Sequence, residues 1–233
     1  MSVKDYETRL YVKDNLSIGK SLVLKNDQSH YIRSVLRLKE NSQIALFNGE
    51  EGEWLSTIKI ISKKFVELEV IEQIKLQEVI SDIWLVFAPI KRTRIDYLAQ
   101  KATELGAGAL WPIFTKYTSV SRVNAERLRS NSIEAAEQSG RLTVPKILDP
   151  IDFDTLIEKW PHDRYLFCLD ETGGGAPILD AFRSSHQRAS GLLIGPEGGF
   201  AKEELDQVDK LGNVCPVSYT HLRAHETPEH RVC

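Results

Sequence analysis

Apolar residues follow two different patterns in this chain, and the change between them near residue 76 most constrains the fold. Before it, short segments rich in β-branched and aromatic residues, several with period two, are typical of half-buried strands. After it, continuous apolar runs of strand length are typical of strands buried on both faces of a parallel sheet. The first group lies at residues 21–24, 43–47, 54–61 and 65–70, and the second at 83–88, 109–114, 165–169 and 191–194.

Helix-length stretches accompany these strands. One lies near residues 27–37, and four follow the change of pattern, near 92–105, 124–140, 177–186 and 201–211. Alternating strands and helices predict an α/β domain with right-handed crossovers. A length of 233 residues fits one or two domains. We therefore predict a small β-barrel in residues 1–75 and an α/β domain in residues 76–218.

Charge is distributed unevenly along the chain. The formal net charge is −3, which excludes a uniformly basic nucleic-acid-binding protein. Residues 91–146 nevertheless carry ten Lys or Arg against five Asp or Glu, so a polyanion could bind there. Three widely spaced cysteines indicate a reducing compartment. We recognise neither a signal peptide nor a membrane-spanning run, and we expect a cytoplasmic protein with no membrane partner.

The sharpest candidate site is the glycine-rich stretch 195–199, directly after the apolar run 191–194. Ligands of open α/β sheets bind outside the carboxyl ends of strands, and glycines let them approach the backbone. The spacing matches neither the dinucleotide fingerprint nor the P-loop, and Glu197 would repel phosphate. The pattern therefore favours a neutral or cationic ligand, such as a sulfonium nucleoside. A tight strand–helix turn that needs glycine is the alternative.

Two further strand ends carry polar residues. Residues 170–175 could complete the same pocket, or they could form a flexible surface loop. Lys91, Arg92 and Arg94 place three positive charges at a predicted helix N-terminus, where they oppose the helix dipole. This arrangement favours an anionic partner, with a solvated run of charge as the alternative.

Basic residues also recur at helical spacing. The spacing predicts three polar faces: Arg94, Lys101 and Glu104; His30, Arg33 and Arg37; and Glu134, Glu137, Gln138 and Arg141. A β-barrel with a basic helix, beside an α/β domain, would form a reasonable platform for RNA, in which Arg and Lys hold phosphates.

Four sequence blocks occur in a recognisable order and together cover roughly residues 1–218. They are residues 30–38, which read H-x-x-x-x-V-L-R and look like an H-x-x-x-V-L-R motif, residues 91–106, which end in K-A-T-E-L-G, residues 134–145, which match A-x-E-Q-x-x-R…V-P, and residues 195–200, which read G-P-E-G-G-F. With these blocks the chain resembles the RsmE-type ribosomal RNA methyltransferases of the SPOUT superfamily.

The resemblance implies a PUA-like β-barrel that helps to hold RNA and an α/β domain tied in a C-terminal trefoil knot. It also implies a homodimer that methylates N3 of a uridine in 16S ribosomal RNA with S-adenosyl-L-methionine. The expected cofactor contacts are Leu169, Gly195, Pro196, Glu197, Gly198 and Gly199. The expected RNA contacts are Arg33, Arg37, Lys91, Arg94, Lys101 and Arg141. Glu104 and Gln138 would order their helices or approach the target base. No residue is assigned as the base that removes the uridine proton.

Residues 219–233 depart from the resemblance, because the family continues there with a stretch like L-G-x-x-I-L-R-x-E-T-A. His221, His225, Glu226 and Cys233 have some of the spacing of metal ligands, but Pro228 limits a helix. We interpret this tail as a foreign extension that replaces the native end, and expect no metal. Such a chain would lack one cofactor wall, leaving the knot incomplete and the chain unstable or inactive. A non-catalytic RNA-binding protein and an unrelated nucleoside-binding α/β enzyme are the alternative functions.

Overall fold

A computed structural model describes residues 6–79, 82–170, 175–185 and 189–218. Two compact units divide the chain. The first contains Met1–Ile80 together with Ile133–Val144, and the second contains Ser81–Ser132 together with Pro145–Cys233. The predicted domain boundary lies near the end of the first long segment. The sequence did not indicate that 133–144 groups with the N-terminal unit.

The first unit is built on one five-stranded sheet. Its strands are β1 (Arg9–Tyr11), β2 (Ser21–Lys25), β3 (Gln43–Phe47), β4 (Glu53–Ile61) and β5 (Phe65–Lys75). Their order is β1-β3-β4-β5-β2, with β1 parallel to β3 and the other pairs antiparallel. Helix α1 (Asn26–His30) continues into a π-helical turn, Tyr31–Val35. The predicted strands are confirmed, whereas β1 is too short to produce a pattern.

Alternation along the strands creates a single core in this unit. In β2 every second side chain is buried, which gives one apolar face. Each of the five strands contributes to the same buried cluster, so the sheet curls around its core as a half-barrel. Ile32, from the π-helical turn, is fully buried in that cluster.

The second unit has a parallel sheet. Its strands are β6 (Ile83–Phe87), β7 (Ala109–Phe114), β8 (Lys146–Ile147), β9 (Ile151–Asp152), β10 (Tyr165–Asp170), β11 (Ala176–Pro177), β12 (Ser190–Ile194) and β13 (Val214–Ser218). The order is β11-β13-β10-β12-β6-β7-β8, and β9 pairs with β7. The helices are α2 (Arg92–Glu104), α3 (Ala125–Ser139), α4 (Phe153–Lys159), α5 (Ile178–Ser185) and α6 (Lys202–Val208). No helix within the described residues is long and apolar enough to cross a membrane.

The predicted α/β arrangement is confirmed, including the four long strands and the four helices of this unit. Helix α4 and the strands β8, β9, β11 and β13 were not predicted. Strand β13 contains Pro216, a residue that argues against an interior strand because it cannot donate a ladder hydrogen bond. The predicted trefoil knot depends on residues 219–233, which lie outside the described residues.

Three tryptophans pack together in the core of the second unit. Trp84 lies 5.8 Å from Trp111 and 6.2 Å from Trp160, measured between ring centroids. Trp111 and Trp160 stack with centroids 6.4 Å apart. Strand β12 approaches this cluster at Gly191. The approach is so close that a Cβ atom at Gly191 would overlap the Trp160 ring. Glycine at this position therefore makes room for the indole.

We expect Gly191→Ala to lower the free energy of unfolding by about 1–3 kcal/mol, since overpacking of a dense core costs that much. Urea denaturation of the full chain measures the change. Gly212→Ala is the matched control, because a Cβ atom at Gly212 meets nothing within 4 Å. Equal stability of the two variants would show that the indole moves aside without cost.

Candidate functional site

The candidate cofactor residues lie at one edge of the parallel sheet. Leu169, near the carboxyl end of β10, pairs with Ile194 of β12 on one side and with Val217 of β13 on the other. Ile194 also pairs with Phe87, the last residue of β6. The carboxyl ends of these strands therefore lie at the same edge of the sheet, where open α/β sheets bind ligands. Most of the stretch 170–175, which could complete the same pocket, lies outside the described residues.

The stretch 195–200 forms a tight loop between β12 and α6. The Gly199 N–H donates to the Pro196 carbonyl at 2.9 Å, and Gly199 has a φ of +71°. A Cβ atom at Gly195 would come within 2.9 Å of the Phe200 ring. Both glycines are thus required by the turn, as the structural alternative predicted. A loop of this kind also exposes its backbone to a ligand.

Glu197 gives this loop its charge. Its carboxylate Oε1 lies 3.7 Å from Arg94 Nη1 of α2, and both side chains are mostly exposed. An exposed pair of this kind contributes little to stability. The contact nevertheless brings a predicted RNA-binding residue next to a predicted cofactor-binding residue. A carboxylate at this edge suits a cationic ligand better than a phosphate.

The two other predicted RNA contacts of α2 lie in different surroundings. Lys91 is exposed at the N-cap of α2, and no side chain caps the helix there. The Lys101 ammonium donates to Glu104 Oε2 at 2.7 Å, and this hydrogen bond raises the pKa of Lys101. Lys101 is held closely by Glu104 and its side chain is 41% exposed. Arg94, in contrast, only approaches Glu197 and is 73% exposed. Lys91 and Arg94 are therefore the better placed of the three.

The predicted face of His30, Arg33 and Arg37 is wrong. The helix ends at Val35 after its π-helical turn, and Arg37 follows with a φ of +55°. Arg37 therefore lies beyond the helix and does not share a helical face with His30 and Arg33. Arg33 donates to the carbonyls of Ser62 and Lys63 and thereby holds the turn between β4 and β5. The Arg37 side chain is exposed.

The predicted polar face that includes Arg141 is also wrong at its end. Helix α3 stops at Ser139, and Gly140 takes a φ of +78°, as is usual just after a helix. Arg141 lies beyond the helix, half-buried, and its carbonyl accepts a hydrogen bond from Arg9. Gln138 reaches Glu134 at 3.4 Å, which is a long hydrogen bond.

Glu137 has a structural role that the sequence did not reveal. Its Oε1 accepts the N–H of Tyr11 in β1 at 2.9 Å. Burial raises the pKa of Glu137, while the Tyr11 N–H and the charge of Arg9 oppose the increase. The folded protein therefore holds a proton on this carboxyl more tightly than the unfolded chain does.

A pH dependence follows from that raised pKa. The contribution of Glu137 to stability is greatest below its unfolded pKa and is lost as the pH rises through the interval up to its folded pKa. Glu137→Gln keeps an acceptor for Tyr11 but does not ionise. We expect the variant to gain stability relative to the unmodified chain as the pH is raised from acid to neutral. Urea unfolding across that range measures the difference, and a pH-independent difference would contradict the assignment.

Two side chains that the sequence analysis did not single out border the 195–200 loop. Tyr117, just after β7, is half-exposed, and its Cβ would lie 3.4 Å from a Cβ atom at Gly198. Glu204, in α6, is buried. Neither Tyr117 nor Glu204 belongs to a local sequence pattern, so no signal in the sequence could have found them.

A separate cleft of about 700 Å³ lies between the start of α2 and the start of α3. Its lining contains none of the predicted site residues. Asp96 of α2 lines this cleft. It accepts hydrogen bonds from Arg127 and Asn131 of α3 and so joins the two helices. Within the described residues, no group of three or more His, Cys, Asp or Glu is placed to hold a metal ion. His221, His225, Glu226 and Cys233 lie outside the described residues.

Comparisons with known proteins decide the family. A family model described as an RNA methyltransferase domain matches residues 77–225, and one described as an RNA methyltransferase PUA domain matches residues 24–71. A ribosomal RNA small subunit methyltransferase E from Rickettsia conorii is 33% identical over 211 residues, which are 90% of this chain and 86% of that protein. The chain belongs to the ribosomal RNA small subunit methyltransferase E family.

Solved structures of the methyltransferase E family and related enzymes have the same fold. A ribosomal RNA small subunit methyltransferase E from Neisseria gonorrhoeae, bound to S-adenosyl methionine, is 26% identical with a TM-score of 0.81, covering 91% of this chain and 89% of that one. A methyltransferase from Legionella pneumophila in complex with the same cofactor is 26% identical with a TM-score of 0.79, covering 91% and 88%. The resemblance stated from the sequence is confirmed.

Proposed function

We propose that this protein transfers a methyl group from S-adenosyl-L-methionine to N3 of a uridine in 16S ribosomal RNA. The observation that carries the proposal is the placement of the 195–200 loop beside Leu169 at one edge of the parallel sheet, in a chain of the methyltransferase E family. Two structural relatives that are 26% identical to this chain have been solved with S-adenosyl methionine bound.

The loop fits this cofactor in three respects. Gly195 and Gly199 keep the loop tight and free of side chains that would cover its backbone. Glu197 provides a carboxylate for a positively charged ligand. Leu169, partly buried, provides an apolar neighbour. We propose that these residues bind the cofactor together with Pro196 and Gly198.

The cofactor supplies an activated methyl group on a sulfonium, and the protein supplies orientation and electrostatics. Residues 195–199 would hold the nucleoside with its transferable methyl group directed toward the uridine. Arg94, which lies near Glu197, would supply positive charge near the uridine, whose N3–H must lose its proton. We assign no residue as the base.

RNA would bind through phosphates. Lys91 and Arg94 in the second unit and Arg37 in the first are exposed. We propose them as the principal contacts. Lys101, Arg33 and Arg141 remain in the proposal as secondary contacts, because Lys101 is paired with Glu104 and Arg33 holds a turn. A substrate in the small ribosomal subunit also supports the proposal of a cytoplasmic protein. We propose the homodimer on the sequence resemblance alone.

The test uses the full chain, including residues 219–233, because a foreign tail in place of the native end would leave the chain unstable or inactive. Methyl transfer by this chain would contradict that expectation. The chain is incubated with radiolabelled S-adenosyl-L-methionine and small ribosomal subunits that lack the modification. The RNA is then digested and 3-methyluridine is measured by mass spectrometry. Sedimentation of the same sample gives the oligomeric state.

Formation of 3-methyluridine that depends on protein and cofactor supports the proposal. Methylation of another atom or of another RNA would contradict the assigned target. RNA binding without methyl transfer would favour the alternative of a non-catalytic RNA-binding protein. Tighter binding of another nucleoside, measured by competition with the cofactor, would favour the alternative of an unrelated nucleoside-binding enzyme.

A further inference from the structure

A buried carboxylate fixes the start of α6, and no step of the proposed reaction uses it. Glu204 is only 7% exposed. Its Oε2 accepts the N–H of Ala201 at 2.8 Å, as in the capping box of a helix. Its Oε1 accepts the N–H of Lys116 at 2.7 Å, in the turn after β7. The first hydrogen bond is sufficient to cap the helix. The second one additionally connects α6 to the turn after β7.

The turn that donates this second hydrogen bond is itself closed by hydrogen bonds. The Thr118 N–H donates to the Thr115 carbonyl at 3.1 Å, and the Thr115 N–H donates to Thr118 Oγ1 at 2.9 Å. Tyr117 lies within this turn, and its Cβ is 3.4 Å from the position that a Cβ atom at Gly198 would occupy. The Glu204 carboxylate thus joins the 115–118 turn to the residue that follows the 195–200 loop.

The loop is therefore fixed at both ends. At its start, Ile194 is part of the ladder between β10 and β6. At its end, Ala201 is held by Glu204. Hydrogen bonds to a carboxylate are among the stronger ones in proteins, and they strengthen further when they are removed from water. A segment that is already ordered loses less conformational entropy when a ligand binds to it.

We propose that Glu204 is a positioning residue for the cofactor: it holds the 195–200 loop and the 115–118 turn in fixed register before the cofactor binds. The proposal rests on the proposed function, in which residues 195–199 bind S-adenosyl-L-methionine. It adds the 115–118 turn, with Tyr117, as a further wall of that site. Glu204 itself touches neither the cofactor nor the reacting atoms.

Glu204→Gln tests this role with little change in size. An amide has one oxygen, so it accepts only one of the two N–H groups, and its NH₂ group faces the other. Glu203→Gln is the matched control. Glu203 is the preceding residue, its side chain is 73% exposed, and it pairs with Lys116 Nζ at 3.3 Å. Both variants remove one negative charge from the same turn of α6, but only one releases the backbone.

Three measurements are made on the full chain and on both variants. Hydrogen exchange of the Lys116 and Ala201 amides is followed without ligand. The dissociation constant of S-adenosyl-L-methionine is measured by calorimetry, at a temperature where urea unfolding shows each variant to be folded. The KM for the cofactor and kcat are then compared for methyl transfer.

We expect Glu204→Gln to speed exchange of both amides, to weaken cofactor binding about tenfold and to raise the cofactor KM to the same extent, with kcat at saturating cofactor nearly unchanged. Glu203→Gln should match the unmodified chain in each measurement. A residue that acted only on stability would lower the unfolding free energy and leave the affinity unchanged.

Unchanged cofactor affinity in Glu204→Gln, while the unmodified chain binds the cofactor, would overturn the positioning role and leave the proposed function standing. Equal loss of affinity in both variants would overturn it too, since a general effect of charge would then be responsible. If the unmodified chain itself does not bind the cofactor, the proposed function fails first, and the positioning role fails with it.

Discussion

Replacing Arg9 with alanine is expected to lower the free energy of unfolding by about 3–5 kcal/mol, the usual cost of leaving a buried charge without its partner. Arg9, in β1, is 9% exposed, and its Nε donates to Glu53, whose side chain is fully buried in β4. Alanine removes the guanidinium and leaves this carboxylate in the core. Urea denaturation of the full chain measures the change.

The Arg9 guanidinium makes more than the ion pair. Nη1 donates to the carbonyls of Ala136 and Glu137 at 2.8 and 2.9 Å, and Nη2 donates to the carbonyl of Arg141 at 3.0 Å. These carbonyls belong to the end of α3 and the residues after it, where the helix leaves acceptors without partners. The group also lies 4.6 Å from the centroid of the Phe47 ring. Its loss therefore affects β3, β4 and the segment at the end of α3 at once.

Lys75→Ala is the matched control for Arg9. Lys75 Nζ lies 3.2 Å from the other oxygen of Glu53, but its side chain is 49% exposed. We expect this variant to lose only about 0–1 kcal/mol, as exposed ion pairs do. A similar loss in both variants would show that water or Lys75 compensates Glu53 and that the buried contact with Arg9 has no special weight.

Gly52→Ala is expected to be the second most damaging single change, with a loss of about 2–5 kcal/mol in unfolding free energy. Gly52 has a φ of +79°, and a Cβ atom there would overlap the carbonyl oxygen of Lys75 and lie 2.9 Å from the backbone nitrogen of Gln77. Left-handed backbone costs an alanine about 1–2 kcal/mol. Overlap with backbone adds about 1–3 kcal/mol, because backbone cannot rotate away as a side chain can.

Gly19→Ala separates these two contributions. Gly19 has a φ of +77°, nearly the same as Gly52, but a Cβ atom there meets nothing within 4 Å. This variant should show the cost of the backbone conformation alone, measured by the same urea unfolding. If both alanine variants lose equal stability, then the segment after β5 moves aside freely and the close approach at Gly52 has no cost.

The sequence predicted the elements whose patterns extend over several turns or alternations. Strands β3, β4, β6 and β7 and helices α2 and α3 lie within a few residues of their predicted bounds. Short elements were missed, because three residues in β1 or two in β8 cannot establish a period. Helix α4 was missed as well, although Asp152 caps it by accepting the N–H of Thr155 at 2.7 Å.

The site was predictable only where one local segment defines it. The G-P-E-G-G-F motif marked the loop, and the run before it marked a strand end. The roles of the arginines were not predictable, because they depend on distant partners. Arg33 holds a turn thirty residues away, and no local spacing distinguishes this from a phosphate contact. Glu204 is similar, since its partner Lys116 lies 88 residues earlier.

The long separation between Arg9 and its partners has a consequence during synthesis of the chain. Ala136 follows Arg9 by 127 residues, so a ribosome adding about 5–20 residues each second needs roughly 6–25 seconds to produce it. During this interval the nascent half-barrel has its sheet but not the residues 133–144 that complete its packing. Phe47 and the guanidinium of Arg9 lack their contacts with residues 136–142 until the later segment has been made. The N-terminal unit therefore completes its folding only after a large part of the second unit has been translated.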